Sequence, residues 1–218
     1  MVSKKGIVAL ALAGTMVVGG AFSAFAATSS PSKGSTVENG THKDTASHTK
    51  NTVTVKVKDG KGTVTKVQGT DNSAAAKKVT LSFVSDGNAK APITKVAANV
   101  FNNKTGKKIT QVTVKTYKGA KMTVAAKAFN KSKAKRVVLT ATKGKIVIKK
   151  NAFKGTSAKK VNFVVTGKNA KSISFKKGAF KGLNKKSTMK VKGMSKKAFK
   201  TFKKAVKKAG FKGKITKA

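Results

Sequence analysis

Residues 159–180 read KKVNFVVTGKNAKSISFKKGAF, and this stretch decides the fold. A lysine pair leads into an alternating strand, a Gly/Asn turn follows, and a second short strand then leads to Phe180. Alternation of apolar and polar residues over such short runs predicts half-buried β-strands. The predicted inward-facing positions are Val161, Phe163, Ile173, Phe175 and Phe180.

The same plan recurs along the chain, at residues 77–101, 107–129 and 134–153, and in shortened form at 185–199. The closing phenylalanines are separated by 28, 24, 27 and 19 residues, and they are Phe101, Phe129, Phe153, Phe180 and Phe199. Self-similarity at this period predicts a solenoid, in which each unit buries its apolar face against its neighbours. The alternative, an ordinary β-sandwich, would leave the regular spacing as a coincidence.

Two units carry the stretch I-x-I/F-x-x-x-A-F-x-G, at 146–155 and 173–182, after strands at 137–139 and 161–163. On these residues, the segment 77–199 resembles the BspA-like leucine-rich repeats of secreted and surface proteins. The resemblance implies a mostly β, α/β fold of the leucine-rich-repeat solenoid type with short irregular repeats. It also implies adhesion or protein contact at the cell surface. Val or Ile stands at most strand starts where the family has leucine.

Residues 195–218 are predicted to form a capping helix and a strand that close the array. Ser195 is the predicted N-cap, and Gly210 supplies the positive φ of a helix end, with Phe211 packing back on Val206. Apolar residues then share one helical face: Ala198, Phe199, Phe202, Ala205, Val206 and Ala209. Because the other face is lysine-rich, a helix that inserts into anionic membranes is the alternative interpretation.

The N-terminal part divides into three predicted segments. Residues 1–26 match a secretory signal peptide, with Lys4 and Lys5 before an apolar run and a small-x-small cleavage pattern at its end. Residues 27–50 are predicted to be a flexible polar linker, and residues 51–76 an N-terminal β-hairpin or cap. The chain has no cysteine, which excludes a disulfide scaffold and a lipid-anchored cysteine. No later apolar run is long enough to span a membrane, so a secreted or cell-wall-associated protein is expected.

Charge is the most unusual property of the composition. The formal net charge is +45, and residues 87–218 hold 38 lysines and one arginine, Arg136, with no aspartate or glutamate after Asp86. Lysine is a mobile point charge, whereas arginine's planar fork reads guanine edges. The sequence therefore predicts salt-sensitive binding of polyanions without sequence recognition.

The same composition argues against catalysis. Residues 87–218 lack His, Asp, Glu and Cys, the groups that usually transfer protons near neutral pH. His42 and His48 fall in the predicted linker, where their spacing gives no credible metal site. The phenylalanines keep the register of the repeat, so they are predicted to be core residues rather than stacking platforms for bases. We expect no catalytic residue, no metal and no cofactor.

The predicted function is a non-enzymatic protein that binds anionic cell-wall polymers or acidic polysaccharides through a lysine-rich solenoid, with adhesion as a related role. Three alternatives stay open at this point: non-specific binding of extracellular nucleic acid, a membrane-disrupting C-terminal helix, and an adhesin that binds proteins through a sheet face. The sequence alone does not nominate individual polyanion-binding lysines.

Overall fold

The structure is a computed structural model that describes residues 36–44, 51–69, 76–141 and 143–218. Within these residues the chain is mostly β, with α1 (Lys196–Lys208) as its one α-helix. A 3-10 turn spans Gly106–Lys108. The strands in the described ranges are β1 (Gly40–Asp44), β2 (Asn51–Lys58), β3 (Lys61–Gly69), β4 (Lys78–Leu81), β5 (Phe83–Asp86), β6 (Ala89–Val96), β7 (Gln111–Lys115), β8 (Lys121–Val124), β9 (Arg136–Ala141), β10 (Lys145–Ile148), β11 (Asn162–Gly167), β12 (Ile173–Phe175), β13 (Thr188–Lys192) and β14 (Lys214–Lys217).

The described strands form two sheets. The first has the order β1-β2-β3-β6-β8-β10-β12, with β5 paired to β6, and the second has the order β14-β13-β11-β9-β7-β4. All pairs in the second sheet are parallel, as are the pairs from β3 onward along the first. From β6 to β13 the chain alternates between the two sheets, so the parallel pairs among these strands join consecutive sequence repeats.

The repeats stack as levels. One level consists of a strand of the second sheet, the element that follows it in or beside the first sheet, and the turn after that element. The prediction of two strands per repeat is confirmed for 107–129, 134–153 and 159–180, with the pairs β7/β8, β9/β10 and β11/β12. The first repeat, 77–101, has three strands, β4, β5 and β6. In the fifth level, α1 follows β13 in place of a second strand. The helix packs against β12, the last strand of the first sheet, and so covers that edge.

The parallel register places equivalent residues side by side. In the second sheet, one inward row pairs Val112 with Val137, Val137 with Phe163, and Phe163 with Met189, and all four side chains are buried. Each apolar residue thus loses its contact with water against the next level, and burial of this kind stabilises by about 25 cal/mol per Å² of apolar area. A single level has no such neighbours, which explains why the repeats fold as a set.

A column of phenylalanines runs through the core beside the sheets. Successive ring centroids lie 5.5 Å apart for Phe101 and Phe129, 4.6 Å for Phe129 and Phe153, and 6.2 Å for Phe153 and Phe180. All four side chains are buried, so their assignment to the core is confirmed. Phe163 meets Phe153 edge-on, which ties the column to the second sheet.

The prediction that Phe199 closes the fifth repeat is wrong. Phe199 lies in the first turn of α1 and is only half-buried. Phe211 takes the expected place instead, with its ring centroid 4.9 Å from that of Phe180. The reason is that the helix interrupts the repeat, so the phenylalanine that continues the column comes after the helix rather than within it.

The turns that carry the phenylalanines are linked by a backbone ladder. Asn99 N donates to Lys127 O at 3.0 Å, Lys127 N to Asn151 O at 2.9 Å, and Asn151 N to Gly178 O at 3.1 Å. The last step runs from Gly178 N to Ala209 O, at 3.0 Å. The first four residues have φ between 56° and 78°, the left-handed region that Asn and Gly tolerate best. Consecutive turns therefore repeat one conformation and stay in register.

The predicted helix end points are confirmed. Ser195 is the N-cap, and its Oγ accepts from Ala198 N at 3.2 Å. At the other end, Gly210 has φ +98°, its N–H donates to Lys207 O, and Phe211 N donates to Val206 O at 3.3 Å. This is the Schellman arrangement, which satisfies carbonyls that the helix end leaves without partners.

The N-terminal hairpin is also confirmed, because β2 and β3 pair antiparallel through the turn at Asp59 and Gly60. The prediction of a flexible linker over 27–50 is wrong for Gly40–Asp44, which form β1 and pair with β2. The physical reason is a long-range contact: Asp44 is buried and accepts from Ser85 N at 2.9 Å and from Ser85 Oγ at 3.1 Å.

Some predictions fall outside the described residues. They are the signal peptide at 1–26, the linker segments at 27–35 and 45–50, and the end of the hairpin segment at 70–75. Among the residues that the structure describes, no helix is long and apolar enough to cross a membrane.

Candidate polyanion-binding surface

Lysine is not spread evenly over the molecule. On the outer face of the second sheet, Thr113 pairs with Val138 and Val138 with Val164, and these outward side chains are uncharged and half-buried. Lysine enters this row only in β13, where Lys190 pairs with Val164. The central outward row of this sheet is therefore not the cationic part of the surface, in contrast to the turns.

The densest repeated cluster lies in the phenylalanine turns of the last three levels. The motif K-K-x-x-F-K-G occurs at 149–155, 176–182 and 207–213, and its phenylalanines are Phe153, Phe180 and Phe211 of the central column. All nine of its lysines are exposed. We call this set the lysine face, and its members are Lys149, Lys150, Lys154, Lys176, Lys177, Lys181, Lys207, Lys208 and Lys212.

The backbone ladder sets the alignment of these lysines. Lys149 and Lys176 directly follow β10 and β12, whose last residues Ile148 and Phe175 are paired. Gly178 N donates to Ala209 O, which brings the pair at 207–208 beside the pair at 176–177. Because neighbouring parallel strands lie about 4.8 Å apart, the lysines that follow β10 and β12 repeat at about that interval. Lys207 and Lys208 end α1 instead, and the bond from Gly178 to Ala209 places them beside the second copy.

Equivalent positions in the two preceding levels carry no lysine. The counterparts of Lys149, Lys150 and Lys154 are Ala125, Ala126 and Asn130 in the second level and Ala97, Ala98 and Asn102 in the first. The lysine face is thus confined to one end of the stack. Since the core residues repeat through all these levels, packing does not require lysine at these positions.

A shallow groove of about 460 Å³ lies within the lysine face. It is lined by Lys150, Asn151, Lys177, Gly178 and Lys181. Gly178 keeps part of its floor open, because a Cβ there would lie 3.6 Å from Lys150 Cγ and 4.0 Å from Asn151 Oδ1. Three lysines and one asparagine thus border the groove, and its exposed walls are mainly carbon atoms of these side chains.

A second lysine-lined depression lies at the other corner of the stack, beside the start of α1. Its volume is about 410 Å³, and its walls are Lys145, Asn169, Ala170, Lys171, Ser195, Lys197, Ala198 and Thr201. Its Ser195 hydroxyl already accepts from Ala198 N as the helix cap. Its lysines come from three kinds of element: Lys145 begins β10, Lys171 lies in a turn and Lys197 lies in α1.

Carboxylates within the described ranges lie in the N-terminal part of the chain. They are Glu38, Asp44, Asp59 and Asp86, and His42 Nδ1 lies 3.7 Å from Asp86 Oδ2. Asp44 is buried against Ser85. The lysine face belongs to the segment 87–218, which has no aspartate or glutamate to neutralise it. Its counterions must therefore come from solution or from a partner.

The site offers charge and hydrogen-bond donors rather than reactive groups. In the described part of the chain, no three His, Cys, Asp or Glu side chains come close enough together to hold a metal ion. His48 of the predicted linker lies outside that part. Exposed aromatic surface beside the lysine face is also scarce, because Phe153, Phe180 and Phe211 are buried beneath it.

Comparison with known proteins adds no relative. No protein-family model matches the chain, and neither curated proteins nor solved structures give a significant match.

Sequence reasoning left the polyanion-binding residues unassigned, although a signal was present. Aligning residues 149–155 with 176–182 is direct, but the third copy at 207–213 lies after an inserted helix. Because Phe199 was predicted to close the fifth repeat, the copy at 207–213 was not matched to the other two. Starting the alignment from Phe211 would have revealed the three lysine rows.

Proposed function

We propose that this chain is a secreted or cell-wall-associated, non-enzymatic protein with a leucine-rich-repeat-type solenoid that binds anionic polymers through its lysines. The single observation that carries the proposal is the lysine face, in which nine exposed lysines come from three copies of one motif whose turns are joined by backbone hydrogen bonds. The expected partners are phosphate-rich wall polymers or acidic polysaccharides.

Several features support the solenoid. Strands of consecutive repeats pair in parallel and in chain order in both sheets, and the phenylalanine turns are joined by equivalent hydrogen bonds. The helix α1 covers the edge of β12, as a terminal cap of a repeat array does. The resemblance of 146–155 and 173–182 to BspA-like repeats supports the same interpretation.

Export is supported by the sequence of residues 1–26, with its basic start, apolar run and small-x-small pattern. A cationic protein outside the cell meets the anionic polymers of the envelope first. Charge would then hold the protein there without a covalent anchor.

The binding mechanism is the release of counterions. A phosphate polymer carries condensed cations, and each lysine that neutralises a phosphate frees one of them into solution. With 6–10 such contacts, affinity falls by about 10³–10⁵ between 50 and 200 mM salt. No side chain needs to change conformation, because the lysines are already exposed.

A pull-down on purified cell walls across a salt series tests the proposal. We expect retention at low salt and release as NaCl rises through the physiological range. Retention that does not change up to 1 M NaCl would contradict binding by charge. Localisation is tested by fractionation of the producing cells, in which salt should release the protein from the wall fraction.

A second candidate function, binding of another protein through a sheet face, is favoured by one observation. The uncharged row that contains Thr113, Val138 and Val164 offers a flat, partly apolar strip without lysine. Charged substitutions there, such as V138E, would abolish adhesion to a protein partner and leave polymer binding unchanged. Lysine-face variants should instead lose polymer binding and keep adhesion to the protein partner. These opposite results would separate the two functions.

A further inference from the structure

We infer that the groove at Lys150, Lys177 and Lys181 binds a phosphate group of a linear phosphate polymer, and that this polymer runs along the lysine face toward Lys208 and Lys212. This inference rests on the proposed function and narrows it to one site and one ligand class. It assigns the polymer to the last three levels rather than to the whole cationic surface.

The charge pattern fixes the direction of the polymer. Rows of lysine run parallel to the stacking direction, one residue from each of three levels, as in Lys150, Lys177 and Lys208. A chain that follows this direction meets a second set of lysines after about 4.8 Å, from β10 to β12, and then the set at the end of α1. A chain that crosses the stack instead meets the lysines of one level only, such as Lys154 and then Lys159 and Lys160, before it reaches the half-buried Thr and Val row.

The type of cation favours phosphate over carboxylate. The bidentate fork of arginine matches carboxylate and phosphate alike, and the lysine face has no arginine, so the preference depends on lysine. An ammonium group has three donors and no fixed plane, so several can surround one tetrahedral phosphate from different sides. The groove brings three lysines around one opening, with the Asn151 amide as a further donor.

The surroundings favour a polymer without bases. Single-stranded nucleic acids gain about 1–3 kcal/mol for each base that stacks on an exposed aromatic ring. Phe153, Phe180 and Phe211 lie directly under the lysine face but are buried at 1%, 3% and 4% exposure. These three rings offer a base no stacking surface, and Phe175 beside Lys176 is itself half-buried, so the backbone phosphates would provide most of the affinity.

Two triple variants of equal charge test the site. K150Q/K177Q/K181Q removes the groove lysines, and K56Q/K58Q/K66Q removes three exposed lysines of the N-terminal hairpin. The full chain is titrated with long-chain inorganic polyphosphate at several salt concentrations. We expect the groove variant to bind polyphosphate about tenfold more weakly than wild type, and the slope of log affinity against log salt concentration to be smaller by about 2. The hairpin variant should lose less than half as much binding free energy as the groove variant.

A third variant, N151G, leaves the charge unchanged and separates the groove from charge alone. Asn151 has φ +60°, which glycine also adopts, so the turn is preserved while the amide is removed. We expect about threefold weaker binding with an unchanged salt slope, as for the loss of one hydrogen bond. Circular dichroism melting curves check that all three variants fold.

The outcomes distinguish this inference from the proposed function. If both triple variants lose affinity equally while wild type binds polyphosphate, the site is wrong and general binding by charge survives. If wild type binds neither polyphosphate nor polyglucuronate, the proposed function fails as well. Binding of polyglucuronate as tight as that of polyphosphate would overturn the phosphate preference. Single-stranded DNA that binds more tightly than polyphosphate, at equal phosphate concentration, would overturn the choice of a polymer without bases.

Discussion

Phe129 stacks on Phe153 with their ring centroids 4.6 Å apart and their planes inclined by 19°. The two rings come from consecutive levels and are both buried. The ring contact therefore joins two levels, and hydrogen bonds between their sheet strands join the same two levels separately. The interior of the stack is thus held together by contacts between levels as much as by contacts within them.

Replacement of Phe129 by alanine is expected to destabilise the whole stack. The side chain is 2% exposed, so its loss leaves a cavity between Phe101 and Phe153, at a cost of about 3–5 kcal/mol. Urea denaturation gives the change in the free energy of unfolding. The matched control is F199A, at a half-buried position outside the column, for which we expect about 1 kcal/mol or less. Equal losses would contradict the exclusion of Phe199 from the column.

Removal of the Asp44 carboxylate should release β1 from the hairpin. In D44A, the N–H and hydroxyl of Ser85 lose an acceptor in a partly buried place, which costs about 1–3 kcal/mol. Hydrogen exchange measured by mass spectrometry should show faster exchange over 40–44. E38A removes an exposed carboxylate nearby and should leave that exchange unchanged. Unchanged protection in D44A would show that other contacts hold the strand.

The helix cap is expected to depend on the Ser195 side chain. S195A removes the acceptor for Ala198 N and should cost about 1 kcal/mol. S195D keeps an acceptor at the same place and should restore the stability, since aspartate caps helices as well as serine does. Thermal unfolding followed at 222 nm measures both effects. A similar loss in the two variants would point to a role of Ser195 other than capping.

Salt is expected to raise the stability of the free protein. The segment 87–218 carries a formal charge of +39, and its lysines repel one another in the folded state. Raising the ionic strength from about 0.01 M to 0.15 M shortens the Debye length from about 30 Å to about 8 Å. The melting temperature should rise accordingly, and more steeply for wild type than for a variant with lysine-face residues changed to glutamine. A melting temperature that falls with added NaCl would contradict this view of the charge.

The parts of the fold that followed from the sequence were those determined locally. Alternating valines gave β2 and β3, and the residues around Ser195 and Gly210 gave both ends of α1. The repeat pattern gave the strands of levels two to four. In each case the pattern and the contact involve residues close together in the chain or equivalent residues of adjacent repeats.

The errors have the opposite character. β1 has no apolar alternation, and it is ordered through Asp44 and Ser85, which are 41 residues apart. Phe199 fitted both the repeat and the helix, and the assignment of Phe199 to the repeat excluded Phe211. The lysine face needed the three-dimensional neighbourhood of Gly178 and Ala209, which sequence spacing does not provide.

The ladder from Asn99 to Ala209 has a consequence for how such a protein changes length. Because every level offers the next one the same backbone donors, acceptors and phenylalanine ring, a duplicated unit of about the length of 134–158 could be inserted without new types of contact. Each insertion would lengthen the stack by about 4.8 Å and add the lysines of one more level. The number of units would then set how many anionic groups one molecule engages, so avidity could be tuned by gene duplication rather than by redesign of a site.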